Sequence, residues 1–306
     1  MRVDIRCFPC FLRQAVIVGS IVCSDLAGTK ELIDLALDPI RDASLDDTPA
    51  HIATEVYKRI REKLNGADPF AELKSKCTKS ALLMTADLEA ILRRSSDPLE
   101  AAIRASVAGN VIDLGIYSDV DVESILANIM SESFGALNLK MLKDDLKNAK
   151  DILFLADNAG ELVFDRPLIS RLMKFGSVKV AVKSVPVIND ATLQDAIASE
   201  LPKGVSLIEN GSDCVGTILS TCSSEFMRAF NNADLIISKG QANFETLDTA
   251  IDRNIYFLLK AKCDVTAEVM GVPRDSLVAV SNRLLPGGAG LDIEPETRKS
   301  GDEVLM

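Results

Sequence analysis

The first half of the chain repeats apolar residues at spacings of three and four, the pattern of helices that bury one face. Glycine and proline residues interrupt this pattern and mark the predicted breaks, for example at Gly28, Pro39 and Gly115. The predicted helices are Phe11–Cys23, Lys30–Ala36, Ala50–Leu64, Ser80–Arg93, Leu99–Val111 and Val122–Leu137. We therefore expect residues 1–148 to form a helical domain.

From Asp151 onward the pattern changes to short β-rich apolar runs that alternate with helix-length stretches. The predicted strands are Ile152–Ala156, Val178–Lys183, Val205–Ile208, Leu235–Ser238, Ile255–Leu258 and Leu277–Val280. Such runs are typical of a parallel sheet that is covered on both faces. We expect an α/β fold in which the helical region packs on a three-layer α/β/α Rossmann-like domain, residues 149–306, with a mainly parallel sheet.

Polar residues follow most of the predicted strands, at the sheet edge where open α/β folds bind ligands. The sequences concerned are Asp157-Asn158-Ala159-Gly160-Glu161, Asn189-Asp190, Gly211-Ser212-Asp213, Lys239-Gly240-Gln241-Ala242-Asn243 and Lys260-Ala261-Lys262. Each has an ordinary structural explanation, because Asp-Asn commonly caps a helix and Lys-Gly commonly forms a turn. Their placement after successive strands nevertheless predicts one shared polar site.

The residue types at this edge suit the binding of a phosphate and a hard cation. Carboxylate and amide oxygens are ligands that Mg²⁺ or Mn²⁺ accepts. Gly160, Gly211 and Gly240 would let backbone N–H groups approach phosphate oxygens. Lys239 and Lys262 could neutralise the charge of a transferring phosphoryl group.

Charge and composition limit the classes of partner and the kinds of metal site that we expect. With 34 basic and 45 acidic residues the net charge is −11, which argues against a nucleic-acid backbone as the main partner. A small phosphate ester is still possible, because a bound cation supplies local positive charge. The single histidine excludes multi-histidine zinc sites. We expect no membrane span and no signal peptide, so a cytoplasmic location with reduced cysteines is predicted.

Two features of the first half each allow two interpretations. Gly109-Asn110 and Asp113 interrupt an apolar helix and could form a second wall of the site, or equally a helix-end capping turn. Cys7 and Cys10 form a C-x-x-C pair without a second pair at zinc-finger spacing. They are either buried structural cysteines or part of a metal or redox site.

Together these motifs resemble the damage-control (ARMT-like) phosphatases, formerly domain of unknown function eighty-nine. The resemblance runs from about Cys7 to Val280, and the Gly109-Asn110 and Cys7–Cys10 features resemble the shorter prokaryotic branch. It implies a helical region on an α/β/α domain, and hydrolysis of small phosphorylated metabolites such as sugar phosphates with Mg²⁺, Mn²⁺, Co²⁺ or Ni²⁺. It does not fix the substrate.

The resemblance also implies roles for individual residues. Asp157, Asn158 and Asp190 would be the metal ligands, and Glu161, Asp113, Lys239 and Lys262 would serve catalysis together with Asp157. The substrate-binding residues would be Gly109, Asn110, Gly160, Gly211, Ser212, Asp213, Lys239, Gly240, Asn243 and Lys260. The family's terminal lysine falls on Lys260 or Lys262, of which Lys262 is favoured. Some eukaryotic members insert a residue before the position of Glu161.

Two chemical routes are open. Asp157 could attack phosphorus to form an aspartyl-phosphate, or a metal-activated water could attack with Glu161 or Asp113 as general base. A metal-ligand role for Asp157 favours the water route, because coordination makes it a poorer nucleophile. Lys239, Lys262 and the backbone amides near Gly211 and Gly240 would complete the phosphate cradle.

Three other functions are possible for such a chain. A non-catalytic nucleotide- or metabolite-binding protein or an S-adenosylmethionine-dependent methyltransferase would also use an α/β sheet. Both require a glycine-rich turn after the first strand, where this chain has Asp157-Asn158-Ala159-Gly160 instead. Binding of S-adenosylmethionine would identify the methyltransferase. A redox or metal-handling protein would depend on Cys7 and Cys10, and their replacement by serine would separate that role from phosphatase activity.

Overall fold

The computed structural model describes residues 1–109 and 130–285. Within the first range the helical prediction is confirmed, with different boundaries. The helices are α1 (Phe8–Val22), α2 (Leu26–Asp42), α3 (Pro49–Lys63), α4 (Ala71–Leu83), α5 (Thr85–Arg93) and α6 (Pro98–Ala108). Three details of the prediction are wrong. Gly28 and Pro39 both lie inside α2 and do not interrupt it, and the predicted helix Ser80–Arg93 is divided between α4 and α5 at Met84.

Side-chain caps explain where several of these helices begin. Asp25 accepts a hydrogen bond from Gly28 N at 2.8 Å, and Thr48 accepts one from His51 N at 3.1 Å. Asp97 accepts from the first-turn N–H groups of α6 in the same way. These caps satisfy backbone donors that have no partner inside the helix.

The second range contains a seven-stranded sheet in the order β1-β7-β6-β5-β2-β3-β4. Its strands are β1 (Phe134–Leu137), β2 (Asp151–Leu155), β3 (Ser177–Val182), β4 (Ser206–Glu209), β5 (Leu235–Lys239), β6 (Ile255–Lys260) and β7 (Leu277–Ser281). The helices between them are α7 (Leu139–Leu146), α8 (Glu161–Leu172), α9 (Leu193–Ala198), α10 (Ser224–Asn232), α11 (Gln241–Leu247) and α12 (Asp264–Met270). Only the pairing of β6 with β7 is antiparallel among these strands, so the mainly parallel sheet is confirmed.

Strand β1 corrects one prediction. Phe134–Leu137 was expected to end the helix Val122–Leu137 but pairs in parallel with β7. Pairing with a neighbouring strand outweighs local helix preference here. The part of that predicted helix before residue 130 lies outside the described residues. The division of the chain at residue 148 stays a prediction, and β1 joins the sheet from before it.

The core has one apolar cluster on each face of the sheet and a third among the first helices. Side chains such as Phe154 and Phe164 belong to the face covered by α4, α5, α6 and α8. Phe244 and Phe257 belong to the opposite face, which α10, α11 and α12 cover. Helices α1, α2 and α3 form the third cluster, and Val215 from the loop after β4 packs into it.

One segment of the described chain, Ile5–Val22, is long and apolar enough to cross a membrane by length and composition. It contains α1, whose side chains Phe11, Ala15 and Val18 are buried in the third cluster. A single segment of this kind near the N-terminus does not establish a membrane span. The cytoplasmic location stays a prediction.

Candidate functional site

The predicted site lies where the order of the sheet reverses. Strand β2 lies between β3 and β5, and the chain builds outward from β2 to β3 and β4 before it returns to add β5 on the other side. Asp157 follows the end of β2, and Gly240 follows β5 directly. A reversal of this kind opens a crevice at the carboxyl ends of the two strands, which is the usual ligand site of an open α/β sheet.

Asp157 and Gly240 are in close contact across this crevice. A Cβ atom at position 240 would lie 2.1 Å from both Cγ and Oδ2 of Asp157. Gly240 also has a φ of +79°, a conformation that other residues rarely adopt. Its N–H donates to Leu258 O at 3.0 Å, so this amide stabilises the sheet edge and does not face a ligand. In this arrangement Gly240 leaves room for the Asp157 carboxylate, and its expected part in phosphate binding stays a prediction.

Backbone hydrogen bonds bring the three predicted metal ligands together. Asn158 and Asp190 form an isolated antiparallel bridge. Next to it, Ala191 N donates to Asp157 O at 2.7 Å. The segment after β3 therefore folds back onto the segment after β2, and Asp157, Asn158 and Asp190 become neighbours.

Burial and mutual repulsion disturb the ionisation of both aspartates. Burial, reinforced by the charges of Glu161 and Asp190, raises the pKa of Asp157 well above its ordinary value, and Lys262 and Lys239 oppose this effect. Burial likewise raises the pKa of Asp190, against the opposing charge of Lys183. A divalent cation would offset the cost of keeping both carboxylates ionised.

Glu161 is held between Asn158 and Lys239. The Asn158 amide nitrogen donates to Asp157 Oδ2 at 3.1 Å and also to Glu161 Oε1. Lys239 Nζ donates to Glu161 Oε2 at 3.2 Å. Because the amide nitrogen of Asn158 is used by the two carboxylates, its oxygen is the atom that could bind a cation.

Sequence reasoning missed three residues that support the site, which are Lys183, Asp165 and Ser106. Lys183 Nζ lies 3.4 Å from Asp190 Oδ2 and donates to Cys214 O at 2.8 Å and to Gly216 O. Asp165 Oδ1 accepts from Lys239 Nζ at 2.7 Å and from Ser106 Oγ at 2.5 Å. A signal existed for Asp165, because it interrupts the apolar run of α8 one helical turn after Glu161, and buried carboxylates need partners.

The donor set fits a divalent cation by its charge. Four buried carboxylates near the carboxyl edge of β2 face two buried lysines, and the exposed Lys262 also acts on Asp157, so the carboxylates are still in excess. The carboxylates are Asp157, Glu161, Asp165 and Asp190, and the lysines are Lys183 and Lys239. In residues 1–109 and 130–285 no three His, Cys, Asp or Glu side chains form a ready-made metal cluster. The set of two aspartates and one amide therefore stays a prediction that this excess charge supports.

The predicted substrate-binding residues in the loop after β4 form hydrogen bonds with other residues of the protein. Gly211 N donates to Ser184 Oγ at 2.6 Å, and a Cβ there would lie 2.4 Å from Ser223 Cβ. The Ser212 hydroxyl bonds Thr221 Oγ1 at 2.7 Å. Asp213 Oδ2 accepts from Arg61 at 2.6 Å. The Gly211 N–H donor is thus already used in this arrangement, and the substrate-binding roles of Gly211, Ser212 and Asp213 stay predictions.

Gly160 and Asn243 also have structural partners. A Cβ at Gly160 would lie 2.9 Å from Cys77 Cβ, so this glycine lets α4 approach the start of α8. Asn243 Nδ2 donates to Ala156 O at 3.2 Å and to Lys239 O at 2.8 Å. Its amide therefore joins the ends of β2 and β5, beneath the predicted site.

The remaining predicted residues separate into three groups. The exposed Lys262 is close enough to lower the pKa of Asp157, whereas Lys260 Nζ donates to Glu132 Oε1 at 3.0 Å. Gly109 ends α6 against α8, and a Cβ there would lie 2.7 Å from Phe164 Cβ. Asn110 and Asp113 lie outside the described residues.

The cysteine pair lies at the start of α1 and contacts none of the predicted metal ligands in the described structure. Cys7 is partly buried and packs against two apolar clusters, while Cys10 is exposed. Both are free thiols. A role for the pair beyond packing stays a prediction.

Comparison with known proteins identifies the family of the chain. The chain resembles damage-control phosphatases of Pyrococcus horikoshii, at 33% identity over 92% of this chain and 99% of the relative, and of Archaeoglobus fulgidus, at 30% over 91% and 99%. An uncharacterized protein of Methanocaldococcus jannaschii is 37% identical over 89% of this chain and 93% of its own length. The crystal structure of a DUF89 family protein from Pyrococcus horikoshii superposes with a TM-score of 0.86, at 33% identity over 92% of this chain and 99% of that one. The family model of the damage-control phosphatase ARMT1-like domain matches residues 3–278, and the chain therefore belongs to this family.

Proposed function

We propose that this protein hydrolyses phosphate esters of small metabolites with the help of a divalent cation held by Asp157, Asn158 and Asp190. The observation that carries the proposal is the excess of buried carboxylates at the crevice between β2 and β5. A protein interior keeps such an excess ionised only when a cation or protons balance it. Relatives named as damage-control phosphatases support the reaction class.

The bound cation would supply positive charge that holds the phosphoryl group and stabilises the charge developing on it. Among the protein's own lysines, Lys262 is our candidate for binding the phosphate. It is exposed to solvent, and its charge lowers the pKa of Asp157. Lys239 is wholly buried and pairs with Glu161, so we expect it to influence the reaction by orienting that carboxylate.

Glu161 is our candidate for the general base. Asn158 and Lys239 each donate to one of its oxygens, which fixes the orientation of the carboxylate. Each oxygen retains a further lone pair for the proton of an attacking water. Asp113, the other candidate base, lies outside the described residues. Direct attack by Asp157 is less favoured, because a carboxylate that binds the cation is a weaker nucleophile.

The substrates proposed are small phosphorylated metabolites such as sugar phosphates. The test is phosphate release from a panel of sugar phosphates and para-nitrophenyl phosphate, after the protein is stripped with a chelator and refilled with Mg²⁺, Mn²⁺, Co²⁺ or Ni²⁺. We expect turnover only after refilling, and almost none in Asp157→Ala. Turnover in Asp157→Ala near the wild-type level would reject the site assignment. A wild-type protein inactive with every metal and ester would reject the reaction class.

A further inference from the structure

The interior beside the proposed site contains a closed ring of hydrogen bonds. Lys239 Nζ donates to Ser106 O at 2.9 Å and to Asp165 Oδ1 at 2.7 Å, while Ser106 Oγ donates to the same Asp165 oxygen at 2.5 Å. The three residues come from β5, α6 and α8. All three are at most 1% exposed, so water does not compete for these bonds.

The ring and Glu161 together use all three N–H donors of Lys239. An ammonium group has three N–H donors. Ser106 O, Asp165 Oδ1 and Glu161 Oε2 are three acceptors at hydrogen-bond distance. Lys239 could contact a phosphate only after it gave up one of them. Its position therefore serves Glu161, which is the only one of the three that also contacts a proposed metal ligand among the described residues.

Asp165 fixes the position of the Lys239 ammonium group. Glu161 and Asp165 are four residues apart on α8, so both carboxylates face Lys239 from the same side of the helix. Like charges at this spacing repel, and Lys239 between them removes the repulsion. The bond to Asp165 is the shorter of the two, and Ser106 holds Asp165 from the other side. Asp165 thus anchors Lys239, and Lys239 orients Glu161.

We propose that Asp165 is a positioning residue of the phosphatase site that acts on Glu161 through Lys239, with Ser106 as its anchor on α6. This inference rests on the proposed function. Asp165 has no hydrogen bond to Asp157, Asn158 or Asp190 in the described structure, and its Oδ2 is buried without a hydrogen-bond partner there. Its influence on the reaction passes through the lysine.

The variant Asp165→Asn tests this chain of contacts, because it removes the charge but keeps an acceptor for Lys239. We expect kcat to fall by about 10- to 100-fold, the usual effect of losing a supporting residue, with KM changed by less than about twofold. Ser106→Ala should lower kcat in the same sense by a smaller factor. The matched control is Asp145→Asn, whose carboxylate bonds Tyr256 Oη at 2.5 Å and Arg283 in another part of the fold. It should leave kcat unchanged.

A double-variant cycle separates positioning from simple stabilisation. In a Lys239→Met background, Asp165→Asn should change kcat by less than about twofold, since the connection is already cut. The double variant should also unfold at a higher urea concentration than Lys239→Met alone, because one unpaired buried carboxylate is gone. If Lys239→Met does not fold, Glu161→Gln replaces it in the kinetic cycle with the same expected non-additivity.

The outcomes distinguish the two proposals. An active wild-type protein whose Asp165→Asn and Lys239→Met effects on kcat multiply independently would overturn the positioning role and leave the proposed function standing. An Asp165→Asn protein with unchanged kcat would do the same. A wild-type protein without turnover would overturn the proposed function and, with it, any catalytic contribution from Asp165.

Discussion

The carboxylate of Asp157 occupies the space that any side chain at Gly240 would need, since a Cβ atom there would lie 2.1 Å from Asp157 Oδ2. The two residues follow the neighbouring strands β2 and β5 at the point where the sheet order reverses. Position 240 thus requires glycine for a steric reason that is specific to the site, in addition to its φ of +79°.

Gly240→Ala should therefore lower phosphate release by about 100-fold or more, because displacement of a catalytic group by 1 Å can cost that much. Gly66→Ala is the matched control. Gly66 has the same φ of +79° but no atom within 4 Å of the added Cβ. It should lose only about 1 kcal/mol of stability from backbone strain and keep its turnover. Equal loss of turnover in both variants would show that backbone strain, and not the Asp157 contact, is responsible.

Lys183 should be necessary for stability. Its ammonium lies beside Asp190 and donates to two backbone carbonyl groups of the loop after β4. Lys183→Met would leave these buried acceptors without a partner, at a cost of about 3–5 kcal/mol in the free energy of unfolding. Urea denaturation in the presence of a chelator measures this. Lys179→Met, a more exposed lysine of the same strand, should change stability by less than about 0.5 kcal/mol. Similar costs for both would contradict the assignment.

Glu245 should make stability depend on pH. Burial raises the pKa of this carboxyl from 4.5 to about 7. The folded protein then binds more protons at Glu245 than the unfolded chain between these values, so the contribution of this group to stability is largest below pH 4.5 and is lost as pH rises towards 7. The loss is at most about 3 kcal/mol. Glu245→Gln cannot ionise and should be more stable than wild type at pH 8, with the difference vanishing at pH 4.

The exposed Glu89→Gln serves as the control for this titration and should show no such difference. Denaturation midpoints at several pH values provide the measurement. A Glu245→Gln protein whose stability relative to wild type did not change between pH 4 and pH 8 would contradict the raised pKa.

Gly109 should contribute to packing. An added Cβ would meet Phe164 Cβ at 2.7 Å and force α6 away from α8. Gly109→Ala should therefore cost about 1–3 kcal/mol of stability, as overpacking generally does, while the folded fraction keeps measurable turnover. Normal stability combined with lost turnover would instead favour the direct substrate contact that the sequence motif suggests.

Most of the sheet could be predicted from sequence because its central strands are short and largely buried apolar runs. Leu235–Lys239 and Ile255–Lys260 lie within two residues of their predicted limits. Strand β1 could not be predicted, because Phe134–Leu137 is too short for a clear period and depends on β7 for its pairing. The same holds for the antiparallel pairing of β7, which local sequence does not encode.

The site was predictable where strand order alone brings residues together, as for Asp157, Asn158 and Asp190. The site was less predictable where a residue has several hydrogen-bond partners within reach. Lys260 bonds Glu132, and Gly211 bonds Ser184, although Lys260 ends β6 and Gly211 follows β4 at the same edge of the sheet. Lys183 and Asp165 were overlooked, because a buried charge has meaning only once its partner in another element is known.

The central claim is that a cation at Asp157, Asn158 and Asp190 drives phosphate release. The most direct test is the dependence of para-nitrophenyl phosphate hydrolysis on metal concentration, measured for the chelator-stripped wild type and for Asp190→Asn. We expect no turnover without metal, saturable recovery in the wild type, and a half-saturating concentration raised by about 10-fold or more in Asp190→Asn. Full turnover of the stripped protein, or the same half-saturating concentration in both proteins, would contradict the account.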